Sequence, residues 1–215
     1  MRVILLGLSG SGKGTQGALI ERRYGLKKLS LGDYVRRCLS RDTHNLRARL
    51  SRPNGNAEWE PFPDDIAFEL VAGLTSSLSG FVLDGFPRTV AQAQQTAALV
   101  CPDHVVYLSC AKATRERRIL RRGRRTDTPQ KVAIRSERES SLMPAILDAL
   151  RSAGIVVATI DGQHGIETVH DLIVAAIRPV KRDIFASIGT VKRGLDVDDS
   201  VPSSSERDGE VTFSK

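Results

Sequence analysis

The first residues whose types and spacing could do chemistry are Gly7-Leu8-Ser9-Gly10-Ser11-Gly12-Lys13, which fit the pattern G-x-x-x-x-G-K. A short apolar run, Val3 to Leu6, precedes them, and a helix-forming stretch from about Lys13 to Arg23 follows. A loop in that setting cradles phosphate. Its glycines let backbone N–H groups turn toward phosphate oxygens, the helix start adds its dipole, and the lysine adds a point charge. Gly7, Gly10, Ser11, Gly12, Lys13, Gly14 and Thr15 are therefore the expected phosphate-binding residues. Gly14 stands where the general pattern has Ser or Thr, so Thr15 comes one place late.

Charge is the second signal. Ten basic residues lie between Arg115 and Arg138 against three acids, an excess equal to the whole net charge of +7. A local positive cluster suits an anionic ligand, either a nucleotide or a nucleic acid. Within it, Arg118 and Arg122 are four residues apart and share a helix face. The three cysteines, Cys38, Cys101 and Cys110, have no metal-like spacing and read as reduced thiols. The four histidines are scattered, and no Ser–His–Asp or Cys–His set is evident.

The elements that must position these residues can be read from pattern. Hydrophobic content of 40% and charged content of 27% are those of a soluble globular chain. No apolar run approaches the roughly 18 residues of a membrane span. The apolar start at Met1 is too short for a signal peptide and runs into Lys13, so a cytoplasmic protein is expected. Strands are expected at Val3–Leu6, at Lys28–Ser30 closing on Gly32-Asp33, and at Phe81–Leu83, Val105–Leu108 and Ile155–Ile160. Helices are expected at Asp64–Leu78, Thr89–Val100, Thr114–Arg122, Pro129–Arg151 and Ile166–Ile177. Thr128 is the expected N-cap of the fourth of these, with Pro129 in its first position. Strands alternating with helices predict an α/β fold with a parallel, doubly wound sheet. Asp42 to Glu60 is polar and carries the turn signal Pro53-Asn54-Gly55-Asn56. Periodicity fades after about Pro179, and roughly the last 15 residues are expected to be disordered.

The departure at Gly14 points to a family. Gly12-Lys13-Gly14-Thr15 resembles the end of the phosphate loop in adenylate kinases. Phe81-Val82-Leu83-Asp84-Gly85-Phe86-Pro87-Arg88-Thr89 resembles that family's second signature, and Gly32-Asp33 with Arg36 resembles a third. The Arg-rich segment with Thr126-Asp127-Thr128-Pro129 is similar to the lid of its short-lid members. The resemblance runs through roughly residues 1–177. It implies a P-loop NTPase-type sheet flanked by helices in a nucleoside monophosphate kinase domain over 1–178. An acceptor-binding insert would occupy about 31–63, a short lid about 122–130, and an extension 179–215.

The same resemblance implies roles. Asp84 would hold Mg²⁺ through water, the metal arriving with ATP rather than on direct protein ligands. Arg88 and Arg36 would grip the acceptor's α-phosphate, two planar guanidinium groups forming a clamp beside Gly85. Gln92 would hydrogen-bond the acceptor base, with an exposed helical glutamine as the alternative. Arg118, Arg122, Arg124 and Arg135 would neutralise charge on the transferring phosphates, Arg118 also on the ATP side. Arg121, Arg125 and Arg138 read as solvated or structural. Asp127 resembles the lid acid, and Thr126 stands where many members have a second Asp. Leu31 replaces a usual Thr near the acceptor base. Trp59 reads as a packing residue or as a stacking partner for the base. No zinc-binding lid is expected, because the cysteines lie outside it.

The implied reaction transfers the γ-phosphoryl group of Mg-ATP to AMP, giving two ADP. The alternatives are the same chemistry on CMP, UMP or a deoxynucleotide, or a nucleotide-dependent regulatory protein. The expected partners are ATP and a nucleoside monophosphate, with no membrane and no nucleic acid. The chain is expected to act as a monomer.

Overall fold

Ile4 and Leu6 point to one side of the first strand and Val3 and Leu5 to the other, and all four are buried. A strand apolar on both faces must be covered on both, which requires helices above and below it. The computed structural model describes residues 1–41, 63–123 and 127–177, all within the unit Met1–Val180. It shows this strand, β1 (Arg2–Gly7), at the centre of a five-stranded parallel sheet. The other strands are β2 (Lys27–Ser30), β3 (Phe81–Asp84), β4 (His104–Ser109) and β5 (Val157–Asp161), in the order β2-β3-β1-β4-β5. Val3 stands beside Val82 on one flank and His104 on the other.

Seven helices complete the described residues: α1 (Lys13–Tyr24), α2 (Leu31–Arg41), α3 (Asp64–Thr75), α4 (Val90–Val100), α5 (Lys112–Arg122), α6 (Pro129–Ser152) and α7 (Ile166–Ala176). Ile4, Leu6 and Leu83 pack with Val35, Ile66, Ala93 and Leu150 of α2, α3, α4 and α6. Val3, Leu5 and Val106 pack with Ile20, Val169 and Ile173 of α1 and α7. The chain leaves β1 toward one edge of the sheet and returns to its other flank only at β4. In such a sheet a crevice opens at the carboxyl ends of the strands where the direction reverses. The glycine-rich loop leaves β1 at that point.

Thr128 caps α6 by accepting from the Lys131 N–H, with Pro129 at the start, as the sequence predicts. The region after β2 differs from expectation. The strand stops at Ser30 and α2 begins at once at Leu31, with no extended Gly32-Asp33. The Ser30 hydroxyl accepts from the Asp33 N–H, and Leu31, Val35 and Cys38 recur on the buried face of a helix. The other shifts of two residues or more are at ends: α3 ends at Thr75, not Leu78, α5 begins at Lys112, not Thr114, and β5 begins at Val157, not Ile155. Trp59 and the rest of the polar stretch Asp42 to Glu60, Arg124 to Thr126 of the lid, and the 179–215 extension lie outside the described residues.

Candidate active site

The phosphate loop is built from conformations that only glycine adopts freely. Gly7, Gly10 and Gly12 have φ of +146°, +83° and +108°. A Cβ on Gly7 would lie 2.5 Å from the Ser11 Oγ and 2.8 Å from the Leu108 carbonyl oxygen. Gly12 is the N-cap of α1 and carries no side chain across the helix start. The Lys13 ammonium folds back and donates to the carbonyl oxygens of Gly7 at 2.7 Å and Leu8 at 3.1 Å. Burial pushes its pKa below the ordinary lysine value. Asp84 and Glu139 act upward against that, and Arg88 and Arg122 add to the lowering.

A cleft of about 910 Å³ opens in front of this loop. That is room for ligands of nucleotide size. The loop residues predicted to bind phosphate line it, and so do Arg36, Asp84, Gly85, Arg88, Arg118, Arg122 and Arg135. Asp84 sits at the end of β3, level with Leu5 of β1 and Ser30 of β2.

On one wall, Arg36 and Arg88 converge. A guanidinium nitrogen of each lies 3.5 Å from the point a Gly32 Cβ would occupy. Arg36 is paired with Asp33, and the Arg88 Nε donates to the Gly85 carbonyl at 2.8 Å. Gly85 has φ +93°, and a Cβ there would stand 3.1 Å from the Arg88 guanidinium, so glycine at this turn leaves room for the arginine. Gln92 is also in place, but not as the sequence suggests. It is buried and does not line the cleft. Its Oε1 accepts from the Arg88 N–H at 2.7 Å, and its Nε2 donates to Asp64 Oδ1 at 2.8 Å. In this structure Gln92 therefore anchors the turn that carries Arg88. Leu31 likewise faces the core, only 1% exposed, rather than the cleft.

On the other wall, Asp127 collects the lid arginines. Arg122 donates to its Oδ2 from Nε at 3.2 Å and from Nη2 at 2.9 Å, and Arg135 donates to Oδ1 at 3.1 Å. The Asp127 side chain is 1% exposed. Burial alone would raise its pKa, but Arg122 and Arg135 outweigh that and hold it below the ordinary carboxylate value. A carboxyl whose pKa is lowered by folding contributes stability above its unfolded pKa, and loses it as pH falls through the folded one. Asp127→Asn is therefore expected to cost about 1–3 kcal/mol at pH 7. The difference between variant and parent should shrink as pH falls below about 4. Urea unfolding at both pH values checks this, and a constant difference would remove the clasp as its cause. Arg118 stands apart from this pair and donates to the Gly162 carbonyl at 2.9 Å, beside the loop after β5.

The cleft residues that sequence reasoning does not single out include Ser9, Arg138, Glu139 and His164. Arg138 was expected to be solvated or structural. It is exposed yet lines the cleft, three residues beyond Arg135 on the same helix face. That spacing was the signal available for it. Among the described residues, no group of three or more His, Cys, Asp or Glu could hold a metal, and no helix is long and apolar enough to cross a membrane.

Comparison with known proteins adds a family to this geometry. Residues 5–155 match the family model described as "Adenylate kinase". An adenylate kinase of Methylobacterium nodulans is 32% identical over 206 residues, covering 92% of this chain and 95% of that protein. One from Stenotrophomonas maltophilia is 32% identical over 194 residues, covering 83% of this chain and all of that protein. One from Bifidobacterium longum is 30% identical over 188 residues, covering 81% and 98%.

Proposed function

The chain belongs to the adenylate kinase family, and from that membership we infer that it transfers the γ-phosphoryl group of ATP to AMP, giving two ADP. It is a phosphotransferase, a nucleoside monophosphate kinase that binds ATP. The assignment of roles rests most on one observation. Arg36 and Arg88 meet on one wall of the cleft that also holds the phosphate loop and the lid arginines, with Asp84 at the end of the central strands.

Phosphoryl transfer through a loose transition state needs in-line placement and charge neutralisation rather than a protein nucleophile. Lys13 and the loop N–H groups hold the donor phosphates. Arg36 and Arg88 hold the acceptor's phosphate. Arg122 and Arg135, with Arg124, exchange Asp127 for the transferring group and neutralise the charge that spreads over it. Closing the lid excludes water, which would otherwise accept the phosphoryl group.

Asp84 suits a metal that arrives on ATP. It lines the cleft, and its carboxylate makes no hydrogen bond or ion pair among the described residues while its charge acts on Lys13. One carboxylate acting through water is a sufficient protein contribution for Mg²⁺, which keeps much of its hydration shell. Bound with ATP, the metal neutralises charge on the phosphate oxygens. The inward turn of Arg118, Arg122 and Arg135 supports a nucleotide, not a nucleic acid, as the anion this basic segment serves. The reading carries with it a cytoplasmic enzyme acting as a monomer.

A coupled assay with Mg-ATP against AMP, dAMP, CMP, UMP and GMP tests the reaction. AMP should be the best acceptor, and Arg88→Ala should lower kcat/KM for it by about 10²–10³-fold. Preference for another monophosphate would keep the chemistry and change the substrate. No turnover with any of them would end the reading.

A further inference from the structure

Glu139 lines the cleft from α6 and makes a two-point contact with the phosphate loop. Its Oε2 accepts from the Ser9 N–H at 2.6 Å, and its Oε1 accepts from the Ser9 hydroxyl at 2.6 Å. Both bonds end on a carboxylate, which makes them short and strong relative to neutral ones. The contact joins residues 130 positions apart in the chain.

The neighbouring residue of α6, Ser140, is linked to the same loop through Arg115. The Ser140 hydroxyl accepts from the Arg115 Nη2 at 3.3 Å. The Arg115 backbone carbonyl in turn lies against Gly10, 2.5 Å from where a Cβ would be. Arg115 is itself 2% exposed, with its Nε donating to the Cys110 carbonyl. One short stretch of α6 therefore braces the phosphate loop at Ser9 directly and at Gly10 through Arg115.

The same helix carries Arg135 one turn earlier, gripping Asp127. Residues four apart on a helix share a face, so Arg135 and Glu139 move as one piece. A carboxylate in a cleft built for polyphosphate is electrostatically adverse, and it stands close enough to act on Lys13. A neutral side chain could tie the loop without that cost.

We propose that Glu139 is a positioning residue for phosphoryl transfer, holding the phosphate loop in register with the lid arginine on its own helix. The inference rests on the reaction proposed above and deepens it. The donor phosphates are held by the loop and the transferring group by α6, so their alignment depends on the joint between the two.

Kinetics of Glu139→Ala, Glu139→Gln, Ser9→Ala and the double variant Ser9→Ala/Glu139→Ala test it. Glu139→Ala should lower kcat by about 10- to 100-fold. KM for AMP should stay within about twofold, because the acceptor clamp is on the other wall. Glu139→Gln keeps an acceptor for the Ser9 N–H and should recover most of the loss. The double variant should be no slower than Glu139→Ala alone, because both substitutions break one contact. Wild-type kcat in Glu139→Ala, or effects that multiply in the double variant, would overturn the proposal. A role in stability alone would lower the melting temperature without this kinetic split, and that outcome also overturns it. If Glu139→Ala does not fold, Ser9→Ala carries the test: kcat should fall, and wild-type kcat is the overturning result.

Amide hydrogen exchange at Ser9 gives a readout that does not depend on turnover. It should quicken by at least about tenfold in Glu139→Ala. A parent that phosphorylates no monophosphate but protects Ser9 only when Glu139 is present would sink the proposed reaction and leave the contact standing. A parent that turns over AMP and shows no change in either readout would sink the positioning role alone.

Discussion

Lys13→Ala is expected to lower kcat/KM for the reaction of ATP with AMP by about 10³-fold, with little loss of stability. Burial already holds the ammonium partly out of water at the cleft, which strengthens the pull of its charge on a phosphate. Its present partners are the carbonyl oxygens of Gly7 and Leu8, a holding position rather than an ion pair. When the side chain is removed, water in the open cleft can satisfy those carbonyls, so the fold loses little. Steady-state kinetics together with calorimetric ADP binding and a melting curve check the prediction. A loss below about tenfold, or a large drop in melting temperature, would mean that Lys13 serves the shape of the loop more than the charge of its ligand.

Gly10→Ala should be more damaging still, and by a different route. The added Cβ meets the Arg115 backbone carbonyl at 2.5 Å, where no flexible side chain can yield. The backbone at φ +83° also disfavours an L side chain by about 1–2 kcal/mol. The loop must shift or α5 must move away from it, and either displaces the N–H groups that face phosphate. We expect loss of measurable ATP and ADP binding and a destabilisation above about 2 kcal/mol. Gly14→Ala is the matched control. Its φ is not positive and nothing lies within 4 Å of its Cβ, so it should bind nucleotide far better than Gly10→Ala. Equal loss in the two would assign the effect to the phosphate itself rather than to packing on Arg115.

What could be read in the sequence was local. Val3 to Leu6 announces a buried strand because four consecutive apolar residues need cover on both faces, and the loop after it declares its conformation through glycines. Arg36, Arg88, Arg118, Arg122 and Arg135 are legible by motif or by helical spacing, whereas Arg138 reads as solvated or structural although it too lines the cleft. Leu31 and Gln92 show where that reasoning stops. A side chain at the start of a helix or beside a signature can turn toward the core or toward the cleft, and only the packing decides. Leu31 joins Val35 and Phe86 in the core, while Gln92 is drawn inward by Asp64. Glu139 had no local signal at all. Its partner lies 130 residues away, and a single glutamate among the charges of α6 looks like a solvated face.

The central place of β1 has a consequence for how the chain is made. Among the five described strands, β1 is synthesised before the others, and it needs a neighbour on each side; those neighbours end at Asp84 and Ser109. At ordinary elongation rates of roughly 5–20 residues per second, β1 waits on the order of ten seconds for β4. The phosphate loop waits a little longer, since Arg115 is part of its wall and Glu139 part of its brace. Until then a ribosome-bound chain carries an unpaired apolar strand and no place for ATP. Nucleotide in the cell cannot steady the early chain, so the growing enzyme must keep Val3 to Leu6 from wrong partners by other means.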